Sequence, residues 1–137
     1  MSKAIENLQA AYQQAVTGRP KVGGFPYFIE TLSRAGITHN ICSLPSCQSI
    51  FITKHGNVVM PGIPLLTDVA DVPVFNRDAL LEALRTDYSG KSRFSEFLHA
   101  VWNAGVIRYD VDFIGRTAAF YGAGNERYVE SYPSVEL

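Results

Sequence analysis

The succession of apolar, aromatic and glycine positions in residues 2–60 recurs in residues 78–131, and a chain that carries one unit twice has few ways to fold. Sliding the sequence by 76 residues pairs Glu6 with Glu82, Leu8 with Leu84 and Tyr12 with Tyr88, and sets Ile5 on Leu81. A seven-residue length difference in the following loop changes the offset to 69. That offset pairs Phe25 with Phe94, Phe28 with Phe97, Ala35-Gly36 with Ala104-Gly105 and Phe51 with Phe120. Ile29 with Leu98, Leu32 with Val101, Ile37 with Val106 and Leu44 with Phe113 are conservative pairs. Periodic apolar positions alone yield spurious alignments. The preserved order, the shared Ala-Gly and the aromatic pair before it favour duplication over convergent helix patterning.

Each half reads as helix, helix, hairpin and a short third strand. Ser2 is placed to cap a helix whose stripe is Ile5, Leu8, Tyr12 and Val16 and which ends near Thr17–Pro20. After Gly23-Gly24, the spacing of Phe25, Phe28, Ile29, Leu32 and Ala35 predicts a second helix, with Gly36 where a left-handed helix end favours glycine. Residues 37–44 and 49–53 form a hairpin around Pro45-Ser46, and Val58–Met60 follows as a third strand. In the second half Leu80, Leu81, Leu84 and Tyr88 mark one helix, and Phe94, Phe97, Leu98, Val101 and Trp102 mark the next. Strands follow at 106–113, 117–121 and 126–129. Alternation places Ile107, Tyr109, Val111 and Phe113 on one face of the first of these, and Arg108, Asp110 and Asp112 on the other. The expected fold is α+β, a single domain over 1–137 in which an antiparallel sheet packs against helices. A proline-bearing linker at 61–76 should lie on the domain through Ile63, Leu65, Leu66, Val69, Val72 and Val74. Phe28, Leu32, Phe97 and Val101 are expected in the core, with Phe97→Ala costing about 3–5 kcal/mol.

Twelve Lys and Arg stand against thirteen Asp and Glu, so no basic surplus exists to neutralise phosphates and nucleic acid is a poor partner. No stretch approaches the roughly 18 apolar residues of a membrane span. The amino terminus alternates polar with apolar residues and carries no signal-peptide core, which places the chain in the cytoplasm. In that compartment Cys42 and Cys47 are free thiols.

His39, Cys42, Cys47 and His55 have the residue types of a zinc site. Odd spacing sends His39 and Cys42 to opposite strand faces, while Cys47 and His55 flank the returning strand about 20 Å apart, so metal binding is not expected. A Cys-His nucleophilic pair fails on the same spacing. Asp110 and Asp112 share a strand face and could hold a divalent ion or act as acid and base, but Arg108, Arg116 and Arg127 make cross-strand charge pairing the simpler reading. His99 falls on the polar side of its helix. Gly122-Ala123-Gly124 leads into a strand instead of a helix, so it is no phosphate loop. Tyr109 reads as core, while Tyr128 and Tyr132 are available to a binding surface.

Phe94-Ser95-Glu96-Phe97, Ala104-Gly105-Val106, Arg108-Tyr109-Asp110-Val111-Asp112-Phe113, Arg116-Thr117, Phe120-Tyr121-Gly122 and Tyr128-Val129-Glu130-Ser131-Tyr132-Pro133 together are similar to the YdfO-like family. These are bacterial and prophage-encoded proteins of unknown function, some labelled "phage envelope protein". The first half departs from the motif, with Asn40 in the place of Tyr109 and Cys42-Ser43 in that of Val111-Asp112. The resemblance implies the fold and a prophage or horizontally acquired context, and it carries over no catalytic residue.

The resulting expectation is a non-enzymatic binding or accessory protein of prophage type, without a cofactor, that is a monomer or homodimer. Its partner would be a protein or a small molecule. The alternative is a small enzyme or divalent-metal module using Asp110 and Asp112. Two units related by an internal pseudo-twofold should leave a cleft at their seam. The better-equipped second copy should supply the contacts, through Asp110, Asp112, Arg116 and Tyr128.

Overall fold

The computed structural model describes residues 2–137. Helices α1 (Lys3–Gly18) and α2 (Gly24–Arg34) precede strands β1 (Ile37–Ser43), β2 (Ser49–Thr53) and β3 (Val58–Met60). Helices α3 (Arg77–Tyr88) and α4 (Phe94–Asn103) then precede β4 (Val106–Asp112), β5 (Thr117–Gly122) and β6 (Arg127–Ser131). The six strands form one antiparallel sheet in the order β3-β2-β1-β4-β5-β6, so each half contributes a meander whose first strand lies at the centre. Along the central β1–β4 pair Ile41 lies opposite Asp110, the residue that the internal alignment also sets on it.

Local chemistry accounts for the helix ends. The Ser2 hydroxyl accepts from Ile5 N at 3.1 Å, and Asn76 Oδ1 accepts from Ala79 N at 3.0 Å, each satisfying one orphan donor of a first turn. Helices α2 and α4 both stop on Ala-Gly, with Gly36 at φ 93° and Gly105 at φ 89°. The two glycines differ in what surrounds them. A Cβ on Gly36 would meet the flexible Lys54 side chain, whereas one on Gly105 would meet the Phe75 backbone, 2.5 Å from its Cα. Gly105→Ala should therefore lower stability by about 2 kcal/mol, and Gly36→Ala by less, as read from urea midpoints.

The helices cover one face of the sheet only. Cys42, Phe51, Tyr109, Val111, Ala118 and Phe120 point into that layer and are buried, together with Leu8, Ile29, Leu32, Leu80, Val101 and Trp102 from the helices. The opposite face, with His39, Ile41, Ile50, Val59, Arg108 and Asp110, is covered by nothing among the described residues.

Three expectations about packing are corrected. On α1 the buried stripe is Ala4, Leu8, Ala11 and Ala15, so the helix presents its small residues to the core and leaves Val16 half exposed. Phe28 is half-buried, because it borders an open cleft and not a closed core. The linker is pinned at points, by Leu65 N to Pro45 O and Asn76 N to Ala104 O, both 2.8 Å, and by Leu65, Leu66 and Phe75 against the core. Ahead of the first pin Ile63 is 87% exposed, and between the pins Val69 and Val74 are 94% and 88% exposed.

Candidate functional site

A cavity of about 780 Å³ lies between the two helical hairpins and the helix-covered face of the sheet. Its floor is built from the two central strands and their neighbours, through Asn40, Cys42, Phe51, Tyr109, Val111 and Phe120. One wall comes from α1 and α2, with Tyr12, Val16, Arg19, Phe25, Phe28 and Ile29. The other comes from α3 and α4, with Leu81, Leu84, Asp87, Tyr88, Phe97 and Leu98. The hairpins meet at their inter-helix loops, where Gly23 N donates to Tyr88 O at 3.0 Å. The segment Pro61–Leu65 and the chain from Glu130 to Pro133 complete the rim.

Aromatic edges hold the first wall in place. Tyr12 meets Phe28 edge-on at 5.2 Å and Phe51 at 6.4 Å, while Phe25 meets Tyr132 at 5.3 Å. Across the mouth Val16, Tyr88 and Phe94 are 52%, 51% and 51% exposed, an apolar rim left open to solvent.

Polar groups inside are few. Asn40 is 8% exposed, and its Oδ1 is buried with no hydrogen-bond partner. Burial pushes the Cys42 and Cys47 thiols up from the usual range, and pushes the Tyr109 hydroxyl well above its own. Burial also raises the carboxyls of Glu130 and Asp87, with Tyr128 partly offsetting it at the first and Arg19 at the second. The two cations on the walls are engaged. Arg19 lies over the Phe28 ring at 5.6 Å, and Arg85 is paired with Glu82 at 2.7 Å.

The four residues singled out from the sequence are dispersed, and none lines this cavity. Asp110 and Asp112 do share a sheet face, but it is the open one. Asp110 pairs with Arg108 at 3.2 Å. Asp112 Oδ1 accepts from Ile114 N and Gly115 N, both at 3.0 Å, which closes the β4–β5 turn, and it has His39 Nε2 at 3.8 Å. Arg116 sits in that turn at φ 52° and reaches Glu30 of α2 at 3.7 Å. Tyr128 lies on the helix-covered side, donates to Glu130 at 3.4 Å and carries the Arg77 guanidinium over its ring at 5.1 Å.

The Cys and His residues are equally scattered. Cys42 faces the cavity, Cys47 is buried in the β1–β2 turn, His39 is on the opposite sheet face and His55 is exposed beyond β2. Among the described residues no group of three or more His, Cys, Asp and Glu side chains converges as a metal site would. No described helix is long and apolar enough to cross a membrane.

Sequence reasoning missed Asn40 and the walls. The available signal was a polar residue at a strand position that alternation turns toward the helices, where the second half carries Tyr109.

Comparison with known proteins gives a concordant family result. The family described as "Protein of unknown function (DUF1398)" matches residues 13–131. "Uncharacterized protein Mb2035" of Mycobacterium bovis is 48% identical over 136 residues, covering 99% of this chain and 83% of the relative. "Uncharacterized protein Rv2012" of Mycobacterium tuberculosis matches with the same identity and coverage.

Proposed function

We propose that this chain, which belongs to the DUF1398 family, is a non-enzymatic binding protein that holds a small, largely apolar molecule in the cleft between its two helical hairpins. The observation that carries this reading is the cavity. Protein interiors pack with few voids larger than a water molecule. A space of about 780 Å³ lined by aromatic and aliphatic side chains falls in the range of ligand pockets, roughly 300–1,000 Å³. The exposed rim of Val16, Tyr88 and Phe94 supplies an apolar entrance.

Twofold placement of the strands, together with the aligned Ala-Gly helix ends, supports descent from a duplicated unit, with the cleft at the seam. The motif from Phe94 to Pro133 supports kinship with YdfO-like proteins of prophage origin. The metal-module alternative draws no support from Asp112, whose Oδ1 is committed to two turn N–H groups.

The test is titration with N-phenylnaphthylamine, a neutral dye that brightens in apolar surroundings. Saturable enhancement is expected. Leu84→Trp, which extends a half-buried wall residue into open space, should weaken it about tenfold while leaving the thermal midpoint within about 4 °C. Asp110→Asn, on the other face of the sheet, should leave it unchanged. A dye signal insensitive to Leu84→Trp would contradict the cleft as the site.

A further inference from the structure

We infer that the open face of the sheet is the interface of a homodimer, in which two copies of this chain stack sheet on sheet about a twofold axis parallel to β1 and β4. The assembly has four layers, with the helices outside and the two sheets within.

An antiparallel sheet with one face in water commonly turns apolar residues inward and polar residues outward. This sheet departs from that rule along its middle. The cross-strand register sets Val59, Ile50, Ile41, Asp110, Ala119 and Val129 side by side in one ladder over all six strands, on the side that the helices leave uncovered. All but Asp110 are apolar, and Val59, Ile50 and Val129 are exposed. A continuous apolar band rimmed by polar groups marks an interaction surface.

Charge identifies a second copy as the occupant. Arg108 and Arg127 stand in the row on one side of the ladder, and His39 and Asp112 in the row on the other. Within the strands the face thus carries two arginines and two aspartates, a balance that neither draws a polyanion nor repels a like surface. An axis running between β1 and β4 lays β1 of each copy over β4 of the other. His39 then faces Asp112 of the second copy, Val59 faces its Val129, and the bulky Ile50 faces its small Ala119. Asp110 lies under Ile41 of the second copy and keeps its own counter-ion, Arg108, at 3.2 Å. The other face-to-face twofold, with its axis along the ladder, sets Asp110 on Asp110, an arrangement that like charge disfavours.

The area is sufficient. Aligned sheets pack about 10 Å apart with their strands within about 30° of each other. Six strands about 4.8 Å apart, bearing three side-chain rows about 6.8 Å apart, cover roughly 550 Å² on each copy. The total of about 1,100 Å² reaches the threshold of roughly 1,000 Å² for a specific interface, so a dissociation constant of about 10 µM is expected.

The experiment is sedimentation velocity of the full chain from about 1 to 300 µM, a range that brackets this constant. The weight-average mass should rise from that of one chain toward twice that value. Ile50→Lys and Ala119→Glu should each raise the dissociation constant at least about 30-fold, because each buries a charge without a partner. Mixing the two variants should restore association, since one Ile50–Ala119 contact becomes an ion pair and the other stays native. Leu84→Trp, in the cleft across the sheet, should leave association unchanged. Should either ladder variant fail to fold, Val59→Lys and Val129→Glu on the edge strands give the same test. A wild-type chain that remains monomeric at about 300 µM would overturn the inference, as would a dimer indifferent to the ladder variants. Mixed variants that stay apart would overturn the docking about this axis.

Discussion

Phe113→Ala is expected to lower the unfolding free energy by about 3–5 kcal/mol, a large part of the roughly 5–15 kcal/mol that a domain of this size has in total. Phe113 is 2% exposed, follows β4 directly, and donates its backbone N–H to Thr38 O at 2.9 Å. It does not border the cleft, so the space left by its ring stays dry and loses its packing contacts outright. Phe97 is the informative contrast. It is 8% exposed, stacks on Phe94 with centroids 6.5 Å apart, and lines the cleft. Removing its ring enlarges a space already open to solvent, so the cost of Phe97→Ala belongs at or below about 3 kcal/mol, the low end of what periodicity alone suggests. Urea unfolding of both variants checks this. Equal or larger loss in Phe97→Ala would mean that the hairpins close over the sheet and that the cleft is packed.

The second large effect is loss of stability at alkaline pH. Tyr12, Tyr109, Tyr132, Cys42 and Cys47 all have their proton release pushed upward, and burial is the first cause in each. A group whose folded-state pKa is raised contributes stability that is fully present below its unfolded value and is lost as pH rises through the folded one. Their ordinary values are 9.0 for the thiols and 10.0 for the phenols, so urea midpoints should hold below pH 9.0 and fall steeply above it. The fully buried groups contribute up to about 1.4 kcal/mol per pH unit above their ordinary values, and the half-buried ones less because water screens them. Tyr109→Phe should reduce the slope beyond pH 10.0, because Tyr109 is the most deeply buried of the three tyrosines. A midpoint that stays level to about pH 11 would contradict the burial of these groups.

Much of the fold is legible in the sequence because the devices that specify it are local. Ser2 marks the first helix start, Gly36 and Gly105 end α2 and α4 in the left-handed region, and alternation from Tyr109 to Phe113 assigns the faces of β4. The cleft is not legible, and the reason is physical. Tyr12, Phe28, Leu81, Leu84 and Phe97 satisfy the periodicity of a core stripe whether the opposing helices touch or stand apart. Only the spacing of the two hairpins on the sheet decides which of these side chains pack and which line open space. The same limit acted on the site residues. Alternation set Asp110 and Asp112 together on one face, but it carries no information on which face the helices cover incompletely. Asn40 read as a weakened copy of Tyr109, although its distinction is that it is a polar group at a core-facing position. In the linker, hydrophobicity suggests burial of the valines, yet Val69 and Val74 lie between the two backbone pins and remain in solvent.

The most direct test of the central claim, that a small apolar molecule occupies the cleft, is methyl and side-chain amide NMR during titration with N-phenylnaphthylamine. Shifts are expected at Ile29, Leu81, Leu84 and Val111 and at the Asn40 amide, with Ile41, Ile50 and Val59 on the open sheet face unmoved. Perturbation centred on Ile41, Ile50 and Val59, with the cleft methyls silent, would contradict the account.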